Sequence, residues 1–256
     1  MNKLQQNITE ALKIKEILLV SHVVFGYPSF DVCQKSVKEM VQAGVDIIEL
    51  QIPFSDPQVD GPFFTQANQQ SVDNGTTVKQ CLEFAKDVCK KYPNTNFVFM
   101  TYYNIVFKFG ITEFVEKSAK ISIKGIILPD LPIEESDDYI KACSNFDISP
   151  ILMVTPTTTD KRMQKINKLA QGFLYCQARV GVTGTHTKFG DEESKYIKRC
   201  RKYSNIPIAM GFGIQKKSDV DFLKGKVDIA ICCTQAIRVL VKDGAQAMGK
   251  FLKGLR

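Results

Sequence analysis

The chain has 256 residues, 44% hydrophobic and 24% charged, a balance that suits a folded globular protein and excludes disordered or collagen-like chains. Its formal charge of +7 is spread out, with no basic run interleaved with aromatics, so nucleic-acid binding is not expected and the excess charge suits a small anionic substrate. No apolar stretch approaches the roughly 18 residues of a membrane span, and the first 16 residues lack the apolar core of a secretory leader, so a cytoplasmic protein that engages no membrane is expected.

Residues 1–15 read as an extra helix ahead of the first strand, placed to close the floor of a barrel. Strand-like runs follow at 17–25, 45–52, 96–101, 125–129, 149–154, 172–178, 206–210 and 228–233. Helix-like runs alternate with them at 30–43, 77–91, 111–122, 133–146, 160–170, 192–203, 218–224 and 244–255. In the first of these, Val32, Val37, Met40 and Val41 recur at helical spacing while Asp31, Lys35, Lys38 and Glu39 take the other face. Eight such units leave about 32 residues each, what one strand, one helix and two loops need. The pattern therefore predicts an α/β fold, a (β/α)8 TIM barrel with an extra N-terminal helix, as one domain over 1–256. A doubly wound sheet fits less well, because the turn after the first strand offers only Gly26 where that fold carries a glycine-rich loop. Two segments, 53–76 and 179–191, read as long loops leaving the C-terminal ends of the second and sixth strands, where barrels keep their active sites, and so as lids.

The eight cysteines show no C-x-x-C spacing, and several lie in strand-like runs, so they read as reduced, buried, small apolar residues. With two histidines in the chain, a zinc site built on imidazole is not expected, and no metal or other cofactor is assigned.

The second strand carries the sharpest chemical signal. Side chains alternate along a strand, so Glu49 shares a face with Val45 and Ile47 and sends a carboxylate from an apolar row toward the barrel mouth. A buried acid there suits a general acid/base with raised proton affinity, although a salt-bridged structural Glu fits the same position. In the following proline-stiffened turn, Asp56 before Pro57 suits a turn-former, whereas Asp60 before Gly61 can lean over the mouth as an ionised acceptor.

The run from Glu49 through Pro53-Phe54-Ser55-Asp56-Pro57 to Asp60-Gly61-Pro62 resembles the signature of the tryptophan synthase alpha subunit family, whose fold is a (β/α)8 barrel. Further matches follow in order: Gly26-Tyr27-Pro28, the stretch from Met100 to Asn104, Asp130-Leu131-Pro132, Thr155-Pro156-Thr157, Tyr175, Arg179 with Gly181 to Gly184, and Gly211 to Ile214. The resemblance implies retro-aldol cleavage of indole-3-glycerol phosphate to indole and glyceraldehyde 3-phosphate in tryptophan biosynthesis. Glu49 would then do the acid/base work at indole C3 and at the glycerol hydroxyl, Asp60 would accept the ring N–H, and Tyr175 would stand beside Glu49. Met100 and Tyr102 would contact the substrate. Thr183 would bond Asp60 when the lid closes. Gly184, Gly211, Phe212, Gly213 and Thr234 would cradle the phosphate, the last at the start of the helix after the eighth strand. The implied partner is a pyridoxal-phosphate beta subunit in an alpha2-beta2 complex, docked on an apolar patch around Pro53, Tyr102, Asn104 and Pro132; the alpha chain itself carries no pyridoxal phosphate.

Three positions depart from the family pattern: Cys233 in place of a glycine, His22 where an apolar aromatic is common, and Gln51 where glycine is common. His22 reads as a satisfied polar residue of the barrel interior. These departures give a second hypothesis its footing, a weakly active regulatory subunit that activates the beta chain. A different phosphate-binding barrel, such as an epimerase, has no use for Asp60.

Overall fold

The computed structural model describes residues 2–179, 181, 187, 189–211 and 213–256. In chain order it contains α1 (Lys3–Leu12), β1 (Leu18–Val24), α2 (Phe30–Gln42), β2 (Ile47–Gln51), α3 (Pro62–Asp73), α4 (Val78–Lys91), β3 (Asn96–Met100), α5 (Tyr103–Phe109), α6 (Ile111–Lys120) and β4 (Gly125–Ile127). A 3-10 turn at Ile133–Glu135 leads to α7 (Asp137–Asn145), then β5 (Ser149–Ile151), β6 (Met153–Val154), α8 (Asp160–Leu169) and β7 (Leu174–Gln177). The chain finishes with α9 (Asp191–Tyr203), β8 (Ile208–Gly211), α10 (Lys217–Leu223), β9 (Ile229–Ile231), α11 (Thr234–Asp243) and α12 (Ala245–Lys253).

All strand pairs are parallel, in the order β5-β4-β3-β2-β1-β9-β8-β7-β6. The two ends of that order, β5 and β6, are consecutive in the chain and separated by Leu152, whose carbonyl accepts from the Tyr175 N–H at 3.0 Å. The predicted fifth strand is thus one stave with a break in its ladder, and the sheet closes on itself into the eight-staved barrel.

Alternation sorts the strands into an inner and an outer layer. Leu18, Val20, Ile47, Val98, Ile127, Ile151, Tyr175, Ala209 and Ile229 pack inside the barrel. Leu19, Ile48, Leu50, Phe97, Phe99, Ile126, Leu174 and Cys176 pack outward against the helices. The predicted N-terminal helix forms, and its fully buried Leu4 and Ile8 join the inner cluster beside Leu18 and Phe173, closing the floor. All eight cysteines are free and seven are buried, as the sequence suggested. No helix among the described residues is long and apolar enough to cross a membrane.

The segment 53–76 is not one long loop. Gly61 caps α3, Pro62 takes its first position, and Phe64, Ala67, Asn68 and Ser71 form its buried face. The helix escapes a composition-based reading because its sequence, PFFTQANQQSVD, puts two polar residues on the inward stripe. Two further short helices, α5 and α11, occupy segments that the periodicity left unassigned.

Candidate active site

The inward rows change character toward the C-terminal ends of the strands. One alternation beyond Val20 the row of β1 reaches His22, and beyond Ile47 the row of β2 reaches Glu49 and Gln51. The register sets His22 opposite Glu49, so both side chains enter the barrel at one level. His22 is 4% exposed and Glu49 5%. Asp60, 9% exposed, leans in from the turn before α3, while Asp56 stays exposed at the rim.

These groups form one hydrogen-bonded chain. Glu49 Oε1 lies 3.0 Å from His22 Nδ1, and His22 Nε2 lies 2.8 Å from Gln51 Oε1. The Gln51 amide nitrogen donates to Asp60 Oδ2 at 2.8 Å. The same carboxylate oxygen accepts from Tyr102 Oη at 3.1 Å and from Asn68 Nδ2 at 3.3 Å. Asn68 is fixed in turn, its Oδ1 accepting from the Phe54 N–H at 3.0 Å and its Nδ2 donating to the Phe64 carbonyl at 2.8 Å. Phe64 meets the His22 imidazole edge-on at 4.9 Å, and Phe54 stacks on Tyr102 at 5.2 Å. Burying a carboxylate costs several kcal/mol, on the order of what well-placed donors return, so Asp60 needs this set of partners. Glu49 Oε2, also buried, has no hydrogen-bond partner among the described residues.

His22, Glu49, Val59, Asp60, Phe64, Met100, Ile127, Pro129, Met153, Tyr175 and Cys233 line a narrow cavity at the barrel mouth, largely apolar and crossed by this polar chain. Burial raises the Asp60 carboxyl above the ordinary range, against the pull of Gln51, His22 and Tyr102. For His22, burial works against the charged ring, yet Glu49, Asp60 and the Gln51 hydrogen bond together outweigh it and the net shift is upward. Burial, with Glu49 and Asp60 adding to it, raises both the Tyr175 phenol and the Cys233 thiol far up, so both stay protonated. His22, Glu49 and Cys233 are the group of donors among the described residues close enough to offer three atoms to a metal ion, within 4.8 Å of one another. Two of those donors already bond each other, and the third is held as a thiol.

The predicted residues mostly converge. Glu49, Asp60, Tyr175 and Met100 line the cavity, and Tyr102 grips Asp60 from behind. Gly211 lies at the end of β8, where an added Cβ would come within 2.7 Å of the Tyr175 hydroxyl; its lack of a side chain lets that ring in. Gly213 has φ +106, a conformation that favours glycine, and Thr234 opens α11. Thr183, Gly184 and Phe212 lie outside the described residues. The suggested docking patch is corrected in part: Asn104 and Pro132 are exposed, but Pro53 and Tyr102 are buried, Tyr102 with its hydroxyl bonded to Asp60. Exposed Phe107, on α5 beside Asn104, is the apolar residue the sequence reading passed over. Asn68 was missed too; Gly61-Pro62 starting a helix with inward spacing 64, 67, 68, 71 is the signal that finds it.

Comparison with known proteins agrees along nearly the whole chain. Residues 8–252 match the family model described as tryptophan synthase alpha chain. The chain is 46% identical over 252 residues to the tryptophan synthase alpha chain of Desulforapulum autotrophicum, covering 98% of this chain and 99% of that one. Identity to the corresponding protein of Syntrophotalea carbinolica is also 46%, over 253 residues, covering 99% of this chain and 100% of that one. Among solved structures, tryptophan synthase subunit alpha from Campylobacter jejuni superposes with a TM-score of 0.83 at 32% identity, over 94% of this chain and 96% of that one. A chain of Mycobacterium tuberculosis tryptophan synthase superposes with a TM-score of 0.92 at 24% identity, over 99% and 96%, and speaks for the fold.

Proposed function

Because the chain belongs to the tryptophan synthase alpha chain family, we propose that Glu49 is its acid–base group and Asp60 the fixed anion of its reaction. The enzyme is a carbon–carbon lyase of tryptophan biosynthesis that cleaves indole-3-glycerol phosphate to indole and glyceraldehyde 3-phosphate. Carbon 3 of the indole leaves once it is protonated, and the glycerol hydroxyl must lose its proton as the C–C bond breaks, so one positioned group serves both transfers. Protonation of carbon 3 places positive charge on the ring nitrogen, where an anion accepting the N–H lowers the barrier.

One observation carries this reading: Glu49 lines an apolar cavity with a buried oxygen, Oε2, that no described group satisfies, while Asp60 lines the same cavity with its own donors clustered on Oδ2. The first carboxylate is therefore available to a reacting atom, and the second is held still. Tyr175 and Met100 line the same cavity. The phosphate would lie beyond, against Gly211, Phe212 and Gly213, the start of α11 at Thr234, and Gly184, with Thr183 reaching Asp60 from the lid. At the Cys233 departure the residue lines the cavity, and its φ of −105 is one that a residue with a side chain adopts without strain.

The family works with a beta subunit. We read the partner as a pyridoxal-phosphate enzyme in an alpha2-beta2 assembly, meeting the mouth face near Asn104, Phe107 and Pro132. Indole release from indole-3-glycerol phosphate by the full chain, alone and with a beta chain, tests the site: a loss of about 100-fold or more in both Glu49→Gln and Asp60→Asn supports it, and turnover retained in either overturns that residue's role.

A further inference from the structure

The three departures from the family pattern are not scattered, for two of them, His22 and Gln51, touch each other and both carboxylates. The hydrogen-bond inventory decides which atoms carry hydrogens. Asn68 is oriented by backbone groups on both sides, so it presents an N–H to Asp60 Oδ2, which accepts the Tyr102 hydroxyl as well. Asp60 is therefore an acceptor, and Gln51 must turn its NH2 toward it; the reverse orientation would set two acceptors 2.8 Å apart. The Gln51 carbonyl is left facing His22 Nε2, so Nε2 bears a hydrogen. A neutral imidazole then has a bare Nδ1, which bonds Glu49 Oε1 only if Glu49 carries the proton; an imidazolium bonds a Glu49 carboxylate. Either way a single proton lies between Nδ1 and Oε1, and the tautomer protonated at Nδ1 alone is excluded.

We propose that His22 and Gln51 are positioning residues for the acid–base step, a bridge through which His22 shares one proton with Glu49 while Gln51 locks the imidazole to Asp60. The inference rests on the role given to Glu49 above. In each turnover the pair passes one proton to indole carbon 3 and takes one from the glycerol hydroxyl as the C–C bond breaks and the carbonyl forms, so it begins and ends with one proton. Oε1 is held by the ring, where the shared proton lies, and Oε2, with no partner among the described residues, is the oxygen free to take the proton of the glycerol hydroxyl. The groups that face His22 are consistent with this: Glu49 from β2, Asp60 from the turn before α3, the neutral Cys233 thiol at the end of β9, and the apolar Phe64 edge from α3. Both charged neighbours are acidic and raise the proton affinity of the ring, against the opposing effect of its burial.

The chain's two histidines make the test direct. In the full chain labelled with 15N-histidine, long-range 1H–15N spectra near neutral pH, assigned with His186→Gln, should show His22 protonated at Nε2. A signal for a neutral ring protonated at Nδ1 alone overturns the bridge and leaves the role of Glu49 standing. Profiles of kcat against pH give the second readout, because a side chain that merely fills space would lower every point alike. His22→Phe and Gln51→Leu should each move the alkaline limb to lower pH by about one unit or more, since the proton is then held by a less supported carboxyl. Profiles that superimpose on the wild type after scaling overturn the proposal, and full turnover in Glu49→Gln overturns the site reading and the bridge with it.

Discussion

The floor and the mouth of the barrel are built by the same inward rows of the same strands, yet they meet opposite demands. At the floor, Leu18, Val20, Ile47 and Ile229 close around Leu4 and Ile8 from α1, and the requirement is to fill space with apolar atoms. One alternation further along β1 and one or two along β2, His22, Glu49 and Gln51 replace them, and each must find a partner of the right polarity at about 3 Å. The difference is one of tolerance. A methyl group lost at the floor costs stability by degrees, whereas a donor lost at the mouth leaves a buried charge with nothing to face.

The sharpest way to break that contrast is at Glu49. Glu49→Gln keeps the shape and removes the proton chemistry, so kcat should fall by about 10² to 10⁴ while the thermal unfolding midpoint stays within a few degrees; equal loss of both would make Glu49 structural. The converse change at the floor, Ile8→Ala, should cost about 2–5 kcal/mol in denaturant unfolding while the folded enzyme keeps its kcat. Asn68→Leu sharpens the comparison, because it is nearly isosteric and apolar, a change the floor would accept. At the mouth it strips a donor from Asp60 and leaves the Phe54 N–H unpaired, a loss of about 1–3 kcal/mol together with lower kcat/KM.

A smaller effect depends on pH. His22 has a folded-state proton affinity above its ordinary 6.5, so the stability it contributes is present in full below that value and fades as pH climbs through the raised one. The gap in unfolding midpoint between wild type and His22→Phe should be wider near pH 6 than near pH 9; a gap that grows at alkaline pH would reverse the assignment. Smallest for the isolated chain is Phe107→Ser, within about 0.5 kcal/mol in stability, whose effect should appear instead as weaker association with a beta chain in sedimentation.

Legibility divided along the same line. The floor and the staves could be read from periodicity alone, since Val20, Ile47 and Ile229 announce themselves as an apolar row whatever their neighbours are. The inward aim of Glu49 followed from counting by two along its strand. The link from Glu49 through His22 and Gln51 to Asp60 did not, because register between β1 and β2 is a property of the closed sheet, and neither residue suits a local motif. Asn68 stayed hidden for a related reason: its helix presents amides where a core stripe usually presents aliphatics, and those amides make sense only beside a buried carboxylate. Tyr102 was expected both against the substrate and at a partner surface; it is buried, and its hydroxyl reaches Asp60.

With α1 stopping its lower end, the barrel is a cup and not a pipe. Whatever is split inside must leave over the rim by which it entered, so a greasy bicyclic product and a charged three-carbon one share a single doorway. A subunit seated on that rim could therefore decide which of the two goes where without touching the chemistry beneath it.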